Sequence, residues 1–507
     1  MYIYTTCSKL PASFLKITIA STIKMKSLYP LVVLILLSWL VLSPCICYLT
    51  PGHNRSNHIQ CIDRERDALL HFKHGITTDN CGLLTSWEPH TDCCRWRGVL
   101  CSNLTSHVIK LNLGSDAGLC LEGKVSPTLG ELKHLKHLHL NHNNFHGEIP
   151  HHLGNLSKLI TLDLYLAYGD VLVHSLSWIS RLTLLRYLDL TGANLSQVTN
   201  WITIVNSLPS LRVLSMISCE LSTIIPSSFS YVNSSVTLHT INLSENHFND
   251  SSIFQWLFKL PRITNQLVHL DLSWNVIQVP IPSEFENFHS LSYLDLSGKG
   301  FQGSIFKIIS KLCNLEQLYL KKNNFTDELS NVIHSLVKCN NSALLALDLR
   351  SNRFWGGIPD NIGSLSSLKE LYLGGNKLKG EISLGIRQLT MLENLDVSSN
   401  SLNGTLTHTH LLGLSRLRKL YLSNNPGLVI NIEEDWIPPF KLDVIQLRSC
   451  RLGPRFPKWL QLQTNCSYFD VSKTGISDSI PVSFCNSLSS PNLLYLNIIC
   501  LIISFTE

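Results

Sequence analysis

Two clusters in this chain carry residue types that can do chemistry. The first is His134-Leu-Lys136-His137-Leu-His139-Leu-Asn-His142, with four imidazoles in nine residues. Imidazole nitrogens ligate transition metals and titrate near pH 6.5. No carboxylate or cysteine accompanies them in this segment, and one short segment rarely preforms a metal site. The expectation is a solvated basic patch that charges up at low pH, with no metal and no cofactor. The second cluster is made of cysteines. Sixteen occur in the 507 residues, and eight of them fall between Cys7 and Cys101. A structural zinc site needs paired knuckles of ligands. The steps of 32, 1 and 7 residues between Cys61, Cys93, Cys94 and Cys101 do not supply them. Cysteines gathered near a chain end behind an export signal read instead as a disulfide cap.

The export signal is legible. Lys24-Met25-Lys26 is followed by an almost continuous apolar run from Leu28 to Leu42, and then by Ser43-Pro44-Cys45-Ile46-Cys47. This predicts a signal peptide over residues 1–47, with Met25 as an alternative start. The run is short for a membrane anchor, which needs about 20 apolar residues. Hydrophobic residues make up 44% of the chain and charged ones 15%, the balance of a packed protein. A formal charge of +5 is too small for a nucleic-acid footprint. No phosphate loop, kinase signature, carboxylate pair or catalytic triad recurs along the chain, so the reading is a binding protein and not an enzyme, with no catalytic residue.

What must position any binding residue is an internal repeat. Leu135-Lys-His-Leu138-His-Leu140-Asn-His-Asn143 has the form LxxLxLxxN, and so does Leu315-Glu-Gln-Leu318-Tyr-Leu320-Lys-Lys-Asn323. Further copies start at Leu267, Leu344, Leu368, Leu392 and Leu417, and degenerate ones at Val108, Leu159, Leu185, Leu211, Leu238, Leu291, Leu442, Cys466 and Leu493. Starts are 24 to 29 residues apart. Such a repeat cannot bury its leucines alone, so only a stacked array is stable. The LxL centre predicts a short strand of a parallel sheet. The Asn turns the chain and pairs backbone groups that would otherwise be buried unsatisfied. Cys219 and Cys450 hold the Asn place in two copies and read as small buried residues. The second half of the better copies, as in Gly147-Glu-Ile-Pro150, gives a bend and a stiff return; Gly357-Ile-Pro359 and Gly380-Glu-Ile382 repeat it.

These residues resemble the plant extracellular class of leucine-rich repeats. The segment Cys61-Ile-Asp-Arg-Glu65 to Lys73, with Leu84-Thr-Ser-Trp87 and Asp92-Cys93-Cys94-Arg-Trp96-Arg-Gly98-Val99-Leu-Cys101, resembles the N-terminal cap of such proteins. The resemblance implies disulfides Cys61–Cys93 and Cys94–Cys101. Cys81 and Cys120 stand outside that pattern, and both a bond between them and free thiols are open. The apolar spacing of Ala68, Leu69 and Phe72 suits a helix over the first coil, with Trp87 and Trp96 sealing its end. The expected fold is an α/β right-handed leucine-rich-repeat solenoid, with its parallel sheet on the concave face and an N-terminal disulfide cap. The expected domains are a cap over 48–107, about fifteen repeats over 108–490, and an incomplete repeat over 491–507.

Cap and repeats together resemble the plant receptor-like proteins of immunity, the Cf-type resistance proteins and the receptors for fungal ethylene-inducing xylanase. The copy from Leu185 to Leu211 is especially similar. This implies an extracellular ligand-recognition ectodomain that works in defence and signals through a partner receptor kinase. Its ligand would be a peptide or protein, such as a pathogen protein, and full-length members sit on the plasma membrane through one C-terminal helix. The copy at Leu493 loses its Asn turn and runs into an apolar tail of about a dozen residues, without closing cap, acidic run or membrane helix. That predicts a truncated product, with a genuine soluble decoy as the other reading. The alternative function is a secreted inhibitor of a pathogen hydrolase, similar to the polygalacturonase-inhibiting proteins.

In each copy the places around LxL point to the concave face. They predict Lys136, His137, His139, Tyr187, Tyr293, Tyr319, Lys321, Arg350, Tyr372, Arg418, Tyr421 and Arg448 as ligand-binding residues. Tyr319, Tyr372 and Tyr421 occupy one strand place, and Tyr and Arg are the types that most often dominate interface energy. About sixteen rungs at roughly 4.8 Å give a face of roughly 75 Å, which suits a peptide or protein. Sequons predict N-glycosylation at Asn54, Asn103, Asn155, Asn194, Asn233, Asn249, Asn324, Asn340 and Asn403. Asn242, inside a strand, and Asn465, before Cys466, are poorer acceptors.

Overall fold

A computed structural model describes residues 60–484, apart from 116–117, 167–170, 222–236, 261, 340–342, 465, 480 and 482–483. The export segment and the copy at Leu493 lie outside these residues. Among the described residues one sixteen-stranded sheet dominates, and fifteen of its strands run parallel from Val108–Asn112 to Tyr468–Asp470. The strands are added in chain order, each on the edge of the last. After the first, each is three residues long, and the middle residue is the buried core leucine of the repeat or a substitute for it. Register is constant: Leu294 lies beside Leu270 and Leu318, and Leu347 beside Leu371. A one-residue slip would turn this apolar column to solvent, so the pattern itself fixes the pairing.

The turn after each strand is built around the Asn. In Asn352, Nδ2 donates to Leu320 O at 2.8 Å in the preceding rung and to Leu349 O at 3.2 Å in its own. Its Oδ1 accepts from Phe325 N of the preceding rung at 3.2 Å. Asn246, Asn275, Asn376, Asn400 and Asn425 repeat the donor pattern. The residue before the Asn is left-handed in each of these turns, as in Trp274 (φ 58°), Lys322 (φ 56°) and Ser351 (φ 55°). That conformation costs a non-glycine residue energy; the side-chain bonds of the Asn hold it. Gly375 takes this place without strain (φ 67°). Cys219 and Cys450 keep the bond of the Asn set to the preceding rung, with Sγ donating to Leu190 O and Leu422 O, and Cys219 also reaches Ile217 O at 3.4 Å. Burial pushes both thiols up, Cys450 to about 11, so neither is a ready thiolate.

The return paths differ in form. Steps of 24 residues return through a 3₁₀ turn, as at His151–Asn155 and Asp360–Ser364, or through a short α-helix, as at Phe306–Ile309 and Lys458–Gln461. The two steps of 29, from Leu238 and from Leu315, hold the α-helices Ser252–Lys259 and Leu329–Val337. The Gly-x-Ile-Pro halves do more than bend. The segments just before or at them pair as a second row of short parallel strands, such as Lys377–Gly380 beside Ser401–Leu406 and Ser401–Leu406 beside Gly427–Ile430. The bend in the copy at Leu344 falls on Gly356 (φ 89°), not on Gly357.

The cap helix Asp63–His74 buries Ala68, Leu69 and Phe72. Buried Glu65 accepts from Val108 N at 2.7 Å and contacts His107 Nδ1 at 2.8 Å, so a carboxylate satisfies the start of the first parallel strand. Trp87 and Trp96 are buried and stacked at 5.1 Å. Disulfides join Cys61 to Cys93 and Cys94 to Cys101, and a third joins Cys81 to Cys120. Sulfurs of Cys61, Cys93 and Cys94 lie within 4.8 Å of one another, but bonds consume them. A fourth disulfide, Cys313–Cys339, joins the ends of two successive return paths, those that hold the helices Phe306–Ile309 and Leu329–Val337, and sequence reasoning does not reach it. Among the described residues no helix is long and apolar enough to cross a membrane.

Candidate recognition face

Alternation around each buried centre turns two residues per strand outward, which makes two continuous columns along the sheet. Tyr187 and Tyr293 stand in the first column, with His137, Thr161, His269, Gln317 and Glu370. Tyr319, Tyr372 and Tyr421 stand in the second, with His139, Asp163, Asp189, Asp271, Asp295, Asp348 and Asp396. Lys321, Arg350 and Arg448 lie two places past the second column, half-buried, while Lys136 and Arg418 sit exposed just before their strands.

The face is not uniform. At its N-terminal end His137 contacts Thr161 Oγ1 at 3.1 Å and His139 contacts Asp163 Oδ2 at 3.5 Å. Burial, then the neighbouring His139, Lys110 and Lys136, lower the affinity of His137 for a proton. The middle is aromatic. His269 stacks on Tyr293 at 3.9 Å, and Tyr293 lies 5.6 Å from Tyr319. Trp274, 42% exposed, stands at the rim with Lys322 Nζ 4.8 Å from its ring. Further along, the Arg350 guanidinium lies 4.1 Å over the Tyr372 ring, donates from Nε to Asp348 Oδ1 at 2.9 Å, and reaches Asp396 at 4.0 Å. Arg418 pairs instead with exposed Asp443 at 3.1 Å. The structure therefore brings Tyr293, Tyr319, Lys321, Arg350, Tyr372 and Tyr421 together on six consecutive strands. Lys136, His137 and His139 lie at the other end, with Tyr187 between the groups.

Burial pushes the phenols of this face up, Tyr319 and Tyr372 to about 12, so they act as neutral donors with apolar rings. The carboxyl of Asp295 is pushed up to about 6, chiefly by burial, with Asp271 and Asp348 adding to it. A raised acid pKa means that the folded state resists the charge. The resulting cost is absent below about pH 4, grows to about pH 6 and is complete at pH 7. Asp295→Asn is thus expected to stabilise the fold by about 1–2 kcal/mol at pH 7 and by almost nothing at pH 4. Thermal melts at the two pH values check this, and an equal shift at both would contradict it.

Sequence reasoning misses His269, Asp271 and Trp274. The signal is present: they hold in the copy at Leu267 the places that Tyr293, Asp295 and their equivalents hold elsewhere. Of the sequons, Asn103, Asn155, Asn249 and Asn403 are exposed and lie off the long sheet. Asn194 and Asn324 are half-buried and also off it, and Asn54, Asn233 and Asn340 lie outside the described residues. Asn242, in the second column, is half-buried and bonded to Asp271 and Ser244. Among the described residues the long sheet carries no exposed sequon.

The profile described as a leucine rich repeat N-terminal domain matches residues 62–102, and that of a leucine-rich repeat region matches 270–479. The chain is a leucine-rich-repeat protein. Its sequence relatives include Receptor-like protein EIX1 of Solanum lycopersicum, 33% identical across 87% of this chain and 52% of the relative. Receptor-like protein EIX2 of the same plant is 34% identical with the same coverage, and Receptor-like protein 39 of Arabidopsis thaliana is 30% identical across 83% and 45%. The chain spans about half the length of these relatives. Among solved structures the chain is similar to a TDR receptor, with a TM-score of 0.54 and 26% identity over 78% of this chain and 69% of that one. The PEPR1–AtPEP1 structure matches the fold at a TM-score of 0.52 and 22% identity, over 83% and 70%.

Proposed function

We propose that this leucine-rich-repeat chain is the extracellular ligand-recognition region of a plant receptor-like protein, and that it reads a peptide or protein on the outward face of the long sheet. One observation carries this reading: a half-buried aromatic or arginine side chain stands on five successive rungs, at His269, Tyr293, Tyr319, Arg350 and Tyr372, and again at Tyr421, on the side without exposed sequons. Large rings held by neighbours at low entropic cost are what interface anchors require. The cap disulfides and the export signal support an extracytoplasmic site of action. The finer reading rests on the family resemblance: a defence receptor at the extracellular side of the plasma membrane, which responds to a pathogen protein and signals through a partner receptor kinase. Lys136, His137 and His139 form a second, polar contact zone on the same face, and the exposed sequons carry glycans that keep the other sides from competing.

The test is a hydroxyl-radical footprint. Peptides selected from a displayed random library on the full chain are expected to protect Tyr293, Tyr319, Tyr372 and Tyr421. Protection confined to Trp355, which is exposed on the second row of strands, would overturn the reading.

A further inference from the structure

The second outward column holds Asp163, Asp189, Asp271, Asp295, Asp348, Asp396 and Asp470. All but Asp163 accept the backbone N–H two residues on, as Asp295 does from Ser297 at 2.7 Å. That turn needs an acceptor and not a charge. Asn242, in the same column, accepts from Ser244 N at 3.0 Å and from its Oγ at 2.8 Å, as Asp396 does from Ser398 N at 2.9 Å and Oγ at 2.6 Å. The negative charge is surplus to the fold, and partial burial makes it costly.

Part of that charge is answered inside the molecule. Asp348 lies beside Tyr372 in register on the next strand, and Arg350, two places past Asp348, is gripped by that carboxylate while it lies on that ring. Asp295 lies beside Tyr319 in the same register, one strand to the next, and Tyr293 adds a second ring 5.6 Å from Tyr319. Here Ser297 stands where Arg350 stands in the other rung. Among the described residues no ion pair reaches Asp295 or its neighbour Asp271. The carboxylate and the ring that hold a guanidinium at Asp348 and Tyr372 are thus repeated two strands earlier without a cation.

We infer that Asp295, with the rings of Tyr293 and Tyr319 and with Asp271 alongside, receives an arginine or lysine side chain of the ligand, so that the partner read by this face presents a basic segment. Carboxylate and ring together suit a guanidinium, through paired hydrogen bonds and stacking. The +5 charge of the chain makes this acidic strip a local feature rather than a general property of the surface. The inference rests on the reading of the sheet face as the recognition surface.

The experiment uses the full chain and a fluorescein-labelled tetra-arginine, with tetra-glutamate as the opposite charge, read by anisotropy at low salt. Tetra-arginine is expected to bind and tetra-glutamate not to. Asp295→Asn is expected to weaken tetra-arginine at least tenfold. Ser297→Arg, which supplies the cation from the chain itself, is expected to do the same. Glu284→Gln with Glu286→Gln removes more charge from the preceding repeat, on its exposed return turn, and is expected to leave binding unchanged. Thermal melts identify any variant that fails to fold, and the Asn242 rung shows that Asn serves the turn. Unchanged binding in both Asp295→Asn and Ser297→Arg would overturn the inference, and so would an equal loss in the Glu284/Glu286 pair. If the inference fails while library peptides still protect the sheet tyrosines, the recognition face stands and only the basic partner falls.

Discussion

Asn352→Ala is expected to lower the unfolding free energy by about 3–5 kcal/mol, read as a fall in the denaturation midpoint with a broadened transition. The side chain is buried, and its amide serves four backbone groups. Alanine leaves the Phe325 N–H and the Leu320 carbonyl without their partner, at about 1–3 kcal/mol for each buried group. It also frees the left-handed residue before it, Ser351, from the bonds that hold the turn. Because each rung contacts mainly its neighbours, the loss falls on one interface of the stack, and the two flanking blocks are expected to melt less cooperatively. Asn352→Cys is a graded control that the chain itself supplies. Cys219 and Cys450 each donate one bond to the preceding rung. Cysteine at 352 is therefore expected to cost roughly half as much as alanine. Equal losses for the two variants would show that the bond to the preceding rung contributes little.

Much of this architecture is legible in the sequence, because a period repeated fifteen times constrains every position at once. The core leucines, the Asn turn, the cap helix with Ala68, Leu69 and Phe72, and the sealing pair Trp87 and Trp96 follow from residue type and spacing. The cap pairings come from family resemblance, since spacing alone leaves several connectivities open. Cys313–Cys339 is out of reach because it depends on how one long return path folds, and that path shares no spacing with the cap. The candidate face is legible only in part. Alternation shows which side chains point outward, so Tyr319, Tyr372 and Tyr421 stand out as one column. It cannot show that His269 stacks on Tyr293, or that Arg350 is held by its own rung while Asp295 is not. The stacking depends on side-chain reach between strands 24 residues apart in sequence, and the grip on Arg350 depends on the rotamer its guanidinium adopts beside Asp348.

The second large effect concerns recognition itself. Tyr293 and Tyr319 lie 5.6 Å apart at the centre of the aromatic run, each with its ring half-buried. Replacing a central aromatic anchor costs about 2 kcal/mol or more, and two adjacent anchors together exceed a 30-fold loss in affinity. Because both rings are half-buried against their neighbours, their removal also costs some stability, and thermal melts of the double variant separate that loss from the loss of binding.

The most direct measurement is therefore the affinity of library-selected peptides for three full-length chains: wild type, Tyr293→Ala/Tyr319→Ala on the long sheet, and Trp355→Ala/Lys379→Ala on the second row of strands. The expected result is a loss of at least 30-fold in the first double variant and less than about twofold in the second. An unchanged affinity in the Tyr293/Tyr319 variant, with the loss transferred to Trp355 and Lys379, would contradict the claim that the outward face of the long sheet is the recognition surface.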